Sequence, residues 1–253
     1  MKKIIIISVL LFTSCLFFTG CSKKYKTVVE YANAMAEIKK AHSSYLFEGN
    51  IKVTNNGIAQ DIPTFKYYIN NGISKIEFYN NDSQRIQTRY FDGKEVVAHS
   101  QDQDLLLILF TEKMLNSMSE DRRTLLLNIM TFGGLLYNWD SPTGSKTTNN
   151  ACPLYKAKFV KNTKMNGYQC RLISFGKEDN DFYSESCVND ELGVAVYTKL
   201  KTENGLAILN VDSIETNTVS VDDVKLPSYL EKYTMSELLT KMGKAFSKMD
   251  ILN

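Results

Sequence analysis

The spacing of apolar residues along the chain predicts where its elements begin and end. After residue 27, apolar side chains recur on one helix face: Val28, Tyr31, Met35 and Ile38. This repeat follows Thr27-Val28-Val29-Glu30, whose hydroxyl and carboxylate have the spacing of a capping box. We therefore predict an amphipathic helix over residues 28–41.

Short strand-like runs follow, and turn dipeptides separate them. The runs cover residues 44–54, 59–69, 73–79, 85–91 and 94–99. Asn56-Gly57, Asn71-Gly72 and Asp92-Gly93 are hairpin signals, because both central residues of a type I′ turn need a positive φ. Successive hairpins without long crossovers predict an antiparallel meander, and polar alternation within 73–79 predicts that part of this sheet has one wetter face.

The spacing of apolar residues changes in the middle of the chain. Leu105 to Phe110 is an unbroken apolar run, and a second capping box, Ser117-Met118-Ser119-Glu120, precedes apolar residues at helical spacing. These residues predict a helix over about 118–137, within a helical insert near 111–138. Asp140 to Asn150 is rich in Ser, Thr, Asn, Pro and Gly, which predicts a loop.

The pattern of residues in the last third of the sequence predicts five more strands and a final helix. The strands cover residues 154–164, 168–176, 182–188, 193–201 and 206–214. Thr234-Met235-Ser236-Glu237 begins a helix predicted over 235–249, with one apolar face: Met235, Leu238, Leu239, Met242, Phe246 and Met249. Because no shift in composition marks a boundary, we predict one domain over residues 28–253.

The N-terminus has the layout of a lipoprotein export signal. Lys2 and Lys3 precede a short apolar core, and Phe18-Thr19-Gly20 precedes Cys21, with charge following at once. Residues 1–20 are predicted to be removed, residues 21–27 to form a tether, and Cys21 to carry fatty acyl chains such as palmitate. Cys15 is a rival cleavage site, but apolar residues still follow it. An uncleaved membrane anchor is the other alternative.

A diacylglycerol with an amide-linked chain at Cys21 would hold the protein stably at a membrane. Ser22 follows the cysteine in place of the Asp that retains some lipoproteins in the inner membrane. We therefore expect a cell-envelope protein, anchored in the outer membrane and facing the periplasm rather than in the inner membrane.

Charge argues against nucleic acid as a partner. Two of the 30 basic side chains lie in the predicted signal, which leaves 28 basic and 28 acidic side chains in the remainder. No basic patch is larger than a Lys or Arg pair, whereas binding to phosphate backbones uses concentrated positive charge.

Three cysteines follow Cys21, and in an exported protein they are disulfide candidates first. If the chain folds back at Glu178-Asp179, Cys170 lies opposite Cys187, within reach of a cross-strand disulfide. We therefore predict a Cys170–Cys187 bond with Cys152 free. Pairing of Cys152 with either of the other two is the alternative.

Recognisable catalytic and metal-binding patterns are missing from the sequence. His42 and His99 stand in no zinc-type spacing, and the chain has no Gly-x-Ser-x-Gly motif. The expectation is a protein that is not an enzyme, with no cofactor, no catalytic residues and no metal site.

Several short segments resemble the outer-membrane lipoprotein carrier and receptor family (LolA/LolB-like). They are Gly72-Ile73-Ser74-Lys75-Ile76-Glu77-Phe78, Phe91-Asp92-Gly93-Lys94-Glu95-Val96-Val97, and the turn Asn189-Asp190-Glu191-Leu192-Gly193. The resemblance implies an α+β fold, an open antiparallel β-barrel of about ten to eleven strands with helices packed on or plugging one side. Lys75 stands near the place of the family's cavity arginine.

The resulting hypothesis is a lipid-anchored envelope protein that binds a lipid or acyl chain under the helical insert and that could act in lipid or lipoprotein transfer. Its predicted ligand-binding residues are Leu105, Leu107, Phe110, Met118, Leu126, Met130 and Phe132. An apolar site of this kind needs concave apolar walls and few polar groups. The alternative is a non-enzymatic assembly or interaction subunit with a filled core, whose partners are other envelope proteins.

Overall fold

The fold is described from a computed structural model. The described residues are 25–55, 58–100, 105–119, 123, 126–127, 134–140, 157–176, 183–202 and 205–241. The predicted signal and Cys21 lie outside these residues, as do Cys152, Met130 and Phe132.

Six strands occupy the first half of the chain. They are β1 (Ser44–Asn55), β2 (Ile58–Asn70), β3 (Ile73–Tyr79), β4 (Arg85–Phe91), β5 (Val96–Ser100) and β6 (Leu105–Phe110). The Asn and the Gly both have positive φ at the predicted turn Asn71-Gly72, with 47° and 82°, and at Asn166-Gly167, between the strands predicted over 154–164 and 168–176, with 49° and 89°. Both dipeptides therefore turn the chain as the sequence predicts.

Six strands follow the helical insert. They are β7 (Lys158–Met165), β8 (Tyr168–Phe175), β9 (Tyr183–Asn189), β10 (Ala195–Thr202), β11 (Gly205–Thr216) and β12 (Glu231–Thr234). The helices are α1 (Val28–Lys40), α2 (Glu112–Ser117), α3 (Gly134–Tyr137) and α4 (Val221–Val224), and residues 235–241 are also helical.

The twelve described strands form one open sheet in the order β12-β6-β5-β4-β3-β2-β1-β11-β10-β9-β8-β7. Two meanders, β1 to β6 and β7 to β11, meet where β1 pairs with β11. All of these pairs are antiparallel except β12 with β6, which is parallel. This open sheet confirms the predicted α+β fold class, and it has one or two more strands than predicted.

Helix α1 begins where its cap predicts. The Glu30 amide donates to the Thr27 hydroxyl at 3.1 Å, and the Glu30 carboxylate accepts from the Lys26 amide at 2.9 Å. The first bond satisfies an amide that the helix start leaves without a partner, and the second ties the preceding residue to the first turn. The apolar side of α1 then packs against one face of the sheet, here called the inner face, which carries Phe47, Tyr67 and Ile76.

Two predictions about the middle of the chain are wrong. The apolar run Leu105–Phe110 lies outside the strands predicted from the sequence, yet it forms β6 between β5 and β12. Ser117 was predicted to cap a helix, but it ends α2, whose own cap is Thr111 and whose C-cap, Met118, is extended. A helical segment does follow, since the Arg123 amide donates to the Ser119 carbonyl at 2.9 Å.

Candidate functional site

A row of paired residues crosses the inner face from β2 to β6. The register joins Tyr67 to Ile76, Ile76 to Arg89, Arg89 to Ala98 and Ala98 to Leu107. Tyr67, Ile76 and Ala98 are buried, whereas Arg89 and Leu107 keep part of their surface accessible. The inner face therefore becomes more open towards β6.

Strand β6 has apolar side chains on both faces. Leu106, on the outer face, is fully buried, whereas Leu105 and Leu107, on the inner face, are only half-buried. Phe110, opposite Val96 across a bulge, is half-buried too. Three of the residues predicted to bind ligand therefore lie on one strand with their side chains partly accessible.

The other predicted ligand-binding residues belong to the insert. Met118 and Leu126 are half-buried, in or next to its helical segments. Of the predicted ligand-binding residues, Leu105 and Leu107 are thus the pair that the structure places together on the inner face of β6.

Arg89 is the cationic group of this inner-face row. Its Nε donates to the Gln87 carboxamide oxygen at 2.9 Å, and its guanidinium lies 5.1 Å from the centre of the Phe78 ring. Burial lowers the pKa of Arg89 below its usual value, but an arginine stays protonated in proteins. A positive charge is therefore held among apolar side chains on β3 and β4.

The half of the inner face nearer β7 is closed by helices. Trp139, just after α3, is fully buried, and its indole nitrogen donates to the Gly193 carbonyl at 2.9 Å. Its ring centre lies 5.8 Å from that of Tyr31 in α1. This part of the interior is filled with side chains.

The turn between β9 and β10 fixes α1 in place. The Asn189 side-chain oxygen accepts from the Glu191 and Leu192 amides at 3.0 and 2.9 Å. Gly193 closes the turn with a φ of 70°, and a Cβ on it would lie only 2.5 Å from the Met35 carbonyl oxygen. The helix backbone therefore approaches the turn as closely as a glycine permits.

A buried tyrosine links α1 to this turn. The Tyr31 hydroxyl donates to the Asp190 carboxylate at 2.5 Å, and Arg171 Nε lies 3.0 and 3.1 Å from its two oxygens. Burial, followed by the bond to Asp190, raises the pKa of Tyr31 well above its usual value. Tyr25 stacks edge-on against Tyr31 at 5.1 Å, so the chain is held from residue 25 onward.

The structure contains the predicted disulfide between Cys170 and Cys187, whose Cα atoms are 5.4 Å apart. The predicted pairing of the two strands, with Cys170 opposite Cys187, is wrong by two residues. Cys170 pairs with Asn189 and Cys187 with Leu172, so the bond is diagonal. A shift of two residues keeps both side chains on the same face, which is why the bond still forms.

A cavity of about 380 Å³ lies on the outer face, opposite the inner-face row. Its walls are the start of β3, the β4–β5 turn, α4 and the segment leading to β12. The lining residues are Ile73, Asp92, Val221, Val224, Lys225, Leu226, Pro227, Ser228, Leu230 and Lys232. The five predicted ligand-binding residues that the structure describes, Leu105, Leu107, Phe110, Met118 and Leu126, do not line it.

This cavity was not predicted from the sequence, because its walls come from separate parts of the chain. A usable signal was present: between β11 and β12, Val219, Val221, Val224, Leu226 and Leu230 are more apolar than a surface connection requires. Of these, Val219 and Val224 are buried. The segment packs on the outer face, where the Asn70 carboxamide donates to the Val219 carbonyl at 2.7 Å.

A charged cluster lies on the same face of β3 as Ile73. The Glu77 carboxylate accepts from the hydroxyls of Tyr79 and Tyr68 at 2.8 and 3.1 Å, and Arg85 and Lys75 lie 3.2 and 3.4 Å from it. Burial alone would raise the pKa of Glu77, but these partners together lower it. The carboxylate is fully partnered, which makes it a structural group.

Metal ligands do not cluster in the part of the chain that the structure describes: no three His, Cys, Asp or Glu side chains there could hold an ion. Within the same described ranges, no helix combines the length and the apolar character needed to cross a membrane.

Comparisons with known proteins return structures but no sequence relatives. No protein-family model matches the chain, and no curated protein is significantly similar in sequence. Among solved structures, an uncharacterized conserved protein from Thermus thermophilus matches with 9% identity and a TM-score of 0.48, over 81% of this chain and 99% of that one.

Two further matches are MucB and a LolA superfamily protein. MucB, also solved as the Pseudomonas aeruginosa MucA/MucB complex, has 12% identity and a TM-score of 0.42, over 80% of this chain and 63% of that one. The LolA superfamily protein NE2245 from Nitrosomonas europaea has 7% identity and a TM-score of 0.36, over 80% and 99%. The structural neighbours thus include the superfamily that the sequence resembles.

Proposed function

We propose that this protein is a non-enzymatic lipoprotein of the cell envelope that binds the acyl chain of an amphiphile on the inner face of β4–β6. In this proposal the helical insert covers the bound acyl chain. Acyl groups on Cys21 anchor the protein in the outer membrane. Residues 28–253 act as one binding domain, which takes up or passes on a lipid or a lipid-modified protein.

The observation that carries the proposal is the partial exposure of apolar side chains at the β6 end of the inner-face row. Leu105, Leu107 and Phe110 are half-buried, whereas Tyr67 and Ile76, in the middle of the sheet, are buried. Adjacent apolar side chains left accessible to solvent are typical of a binding surface.

Arg89 adds a polar preference to this surface. It lies between Ile76 and Ala98 in the same row, two strands from Leu107. Its guanidinium lies over the Phe78 ring and donates to Gln87, so the row combines a polar group with apolar side chains. An amphiphile, which has both a polar head and a hydrocarbon chain, matches this combination.

Binding of a dansyl-labelled fatty acid to the purified full chain tests the proposal. We expect the dansyl fluorescence to rise and saturate, and Leu107→Asp to weaken binding at least roughly tenfold, because a carboxylate would replace a side chain in contact with the ligand. Ile58→Asp is the matched control, since Ile58 is 66% exposed at the start of β2.

Equal binding by wild-type protein and Leu107→Asp would contradict the inner-face site, as would no binding by the wild type. Circular dichroism of both variants separates a lost contact from a lost fold. Leu107→Ser offers a milder replacement if the aspartate variant does not fold.

The alternative, an interaction subunit with a filled core, draws support from the other half of the sheet. Trp139, Phe47 and the α1 residue Tyr31 are fully buried there, so the described side chains of this half form a packed core. Cross-linking in cells distinguishes the two functions, because a subunit would give a stoichiometric protein adduct and a lipid binder need not.

A further inference from the structure

We propose that the cavity on the outer face binds a small amphiphilic carboxylate, with its hydrocarbon part inside the cavity and its carboxylate paired with Lys225. The walls come from β3, the β4–β5 turn and residues 219–232, here called the covering segment. The described residues of this site are different from those of the acyl-chain site at β4–β6, which lies on the opposite face of the sheet. This inference therefore does not rest on the proposed function.

The covering segment is attached to the sheet at both of its ends. At the first end, the Val219 amide donates to the Ser44 hydroxyl at 3.1 Å, and the Val219 carbonyl accepts from the Asn70 carboxamide at 2.7 Å. At the other end, Glu231–Thr234 pairs with β6 as strand β12. The described backbone hydrogen bonds of residues 225–230 stay within the segment. The middle of the segment thus borders the cavity while its ends hold it on the sheet.

The cavity wall is mostly apolar. Six of the ten described lining residues are apolar: Ile73 from β3, and Val221, Val224, Leu226, Pro227 and Leu230 from the covering segment. The volume of about 380 Å³ lies within the range of about 300–1,000 Å³ that is usual for small-molecule sites. At roughly 30 Å³ for each molecule of liquid water, this is the volume of about a dozen waters. A ligand with a similar number of non-hydrogen atoms therefore fits.

Three of the described lining residues are charged, and two of them already have partners. The Asp92 carboxylate accepts from the Lys94 and Glu95 amides, both at 2.9 Å. Lys232 forms an ion pair with Glu95. The third, Lys225, is exposed, and within the described part of the chain its ammonium has no hydrogen-bond or ion-pair partner. Lys225 is therefore the cation that a ligand in the cavity meets.

A carboxylate is the ligand group that this arrangement favours. An ammonium group binds a carboxylate through charge-assisted hydrogen bonds, which are stronger than bonds between neutral groups. The single ammonium of Lys225 matches the single charge of a carboxylate, and Ser228 adds a hydroxyl to the same wall. The apolar walls match a short hydrocarbon chain. Octanoate combines both features and serves as the probe.

Methyl NMR of the full chain, with labelled Ile, Leu and Val side chains, tests this inference. We expect the methyl signals of Ile73 and Val224 to shift and to saturate as octanoate is added, because both side chains line the cavity. Octylammonium has the same hydrocarbon chain with the opposite charge. It should bind at least roughly tenfold more weakly, because it cannot pair with Lys225.

Two variants identify the contacts. Lys225→Met keeps the apolar stem and removes the charge, so it should weaken octanoate binding by roughly tenfold. Lys113→Met is the matched control, because Lys113 is exposed in α2 and does not line the cavity. Val221→Asp places a carboxylate in the wall and should weaken binding by roughly tenfold or more. Val221 is 58% exposed, so its replacement should not disturb the core, which circular dichroism checks.

Four results would overturn the inference. Methyl shifts that grow without saturating mean that octanoate does not occupy the cavity specifically. Equal binding of octanoate and octylammonium, or of octanoate by Lys225→Met and wild type, removes the role of Lys225. Unchanged binding by Val221→Asp removes the role of the wall. Saturating shifts at Leu107 without shifts at Ile73 and Val224 place octanoate on the inner face. Leu107→Asp should leave the cavity signals unchanged, so this inference and the proposed function fail separately.

Discussion

Replacement of Gly193 by alanine tests how closely α1 packs against the β9–β10 turn. Gly193 has a φ of 70°, and an added Cβ would lie 2.5 Å from the Met35 carbonyl oxygen and 3.3 Å from the Lys39 amide nitrogen. Both neighbours are helix backbone, so neither can turn aside as a flexible side chain would. The Gly193 carbonyl also accepts the bond from buried Trp139.

Two contributions add to the expected loss of stability. The left-handed backbone costs an alanine about 1–2 kcal/mol. Displacement of packed backbone by an added methyl costs about 1–3 kcal/mol more. We therefore expect Gly193→Ala to lower the free energy of unfolding by about 2–5 kcal/mol.

Gly167→Ala is the matched control, because it isolates the backbone contribution. Gly167 has a φ of 89° in the β7–β8 turn, and nothing lies within 4 Å of the position that its Cβ would take. Alanine there should cost only about 1–2 kcal/mol. Urea unfolding monitored by circular dichroism measures both losses. Equal losses in the two variants would refute the close approach of α1 to the turn.

Three other changes test the contacts that hold the sheet. Replacing both Cys170 and Cys187 by alanine should lower the free energy of unfolding by about 3 kcal/mol, since the bond closes a loop with a sequence separation of 17. Equal urea midpoints of the wild-type protein with and without reductant would contradict this. Tyr31→Phe should cost about 1–2 kcal/mol in the same assay, because Asp190 loses a buried donor. Glu77 has a lowered pKa in the folded state, so its stabilisation is present above pH 4.5 and lost as the pH falls through that lowered value. Glu77→Gln should therefore weaken the acid dependence of the urea midpoint below pH 4.5, and an unchanged dependence would contradict the carboxylate cluster.

Local sequence signals were enough for the hairpins. The predicted bounds of β3 and β4 are those observed, because turn dipeptides or polar turns mark both ends of each strand. Thr27 and Thr234 begin their helices as predicted, since a capping box depends only on residues three apart. Such elements are specified by their immediate neighbours.

Elements that depend on distant partners could not be predicted in the same way. Strand β12 has four residues and is defined by its parallel pairing with β6, more than a hundred positions earlier in the chain. Leu105–Phe110 has no alternation, and an unbroken apolar run does not distinguish a strand from a buried helix. For the same reason the sequence could not show that Leu105 and Leu107 face inward while Leu106 faces outward.

The edges of the open sheet bear on how this protein meets its partners. An uncovered edge strand invites pairing with another chain, and charged side chains reduce that risk. Strand β7 carries three exposed lysines, Lys158, Lys161 and Lys164, and β12, at the other end, is only four residues long. Both edges thus have features that oppose strand addition, which weighs against an envelope partner that pairs with the sheet. Recognition through a face of the sheet remains, and the partly accessible apolar side chains of β6 provide one such face among the described residues.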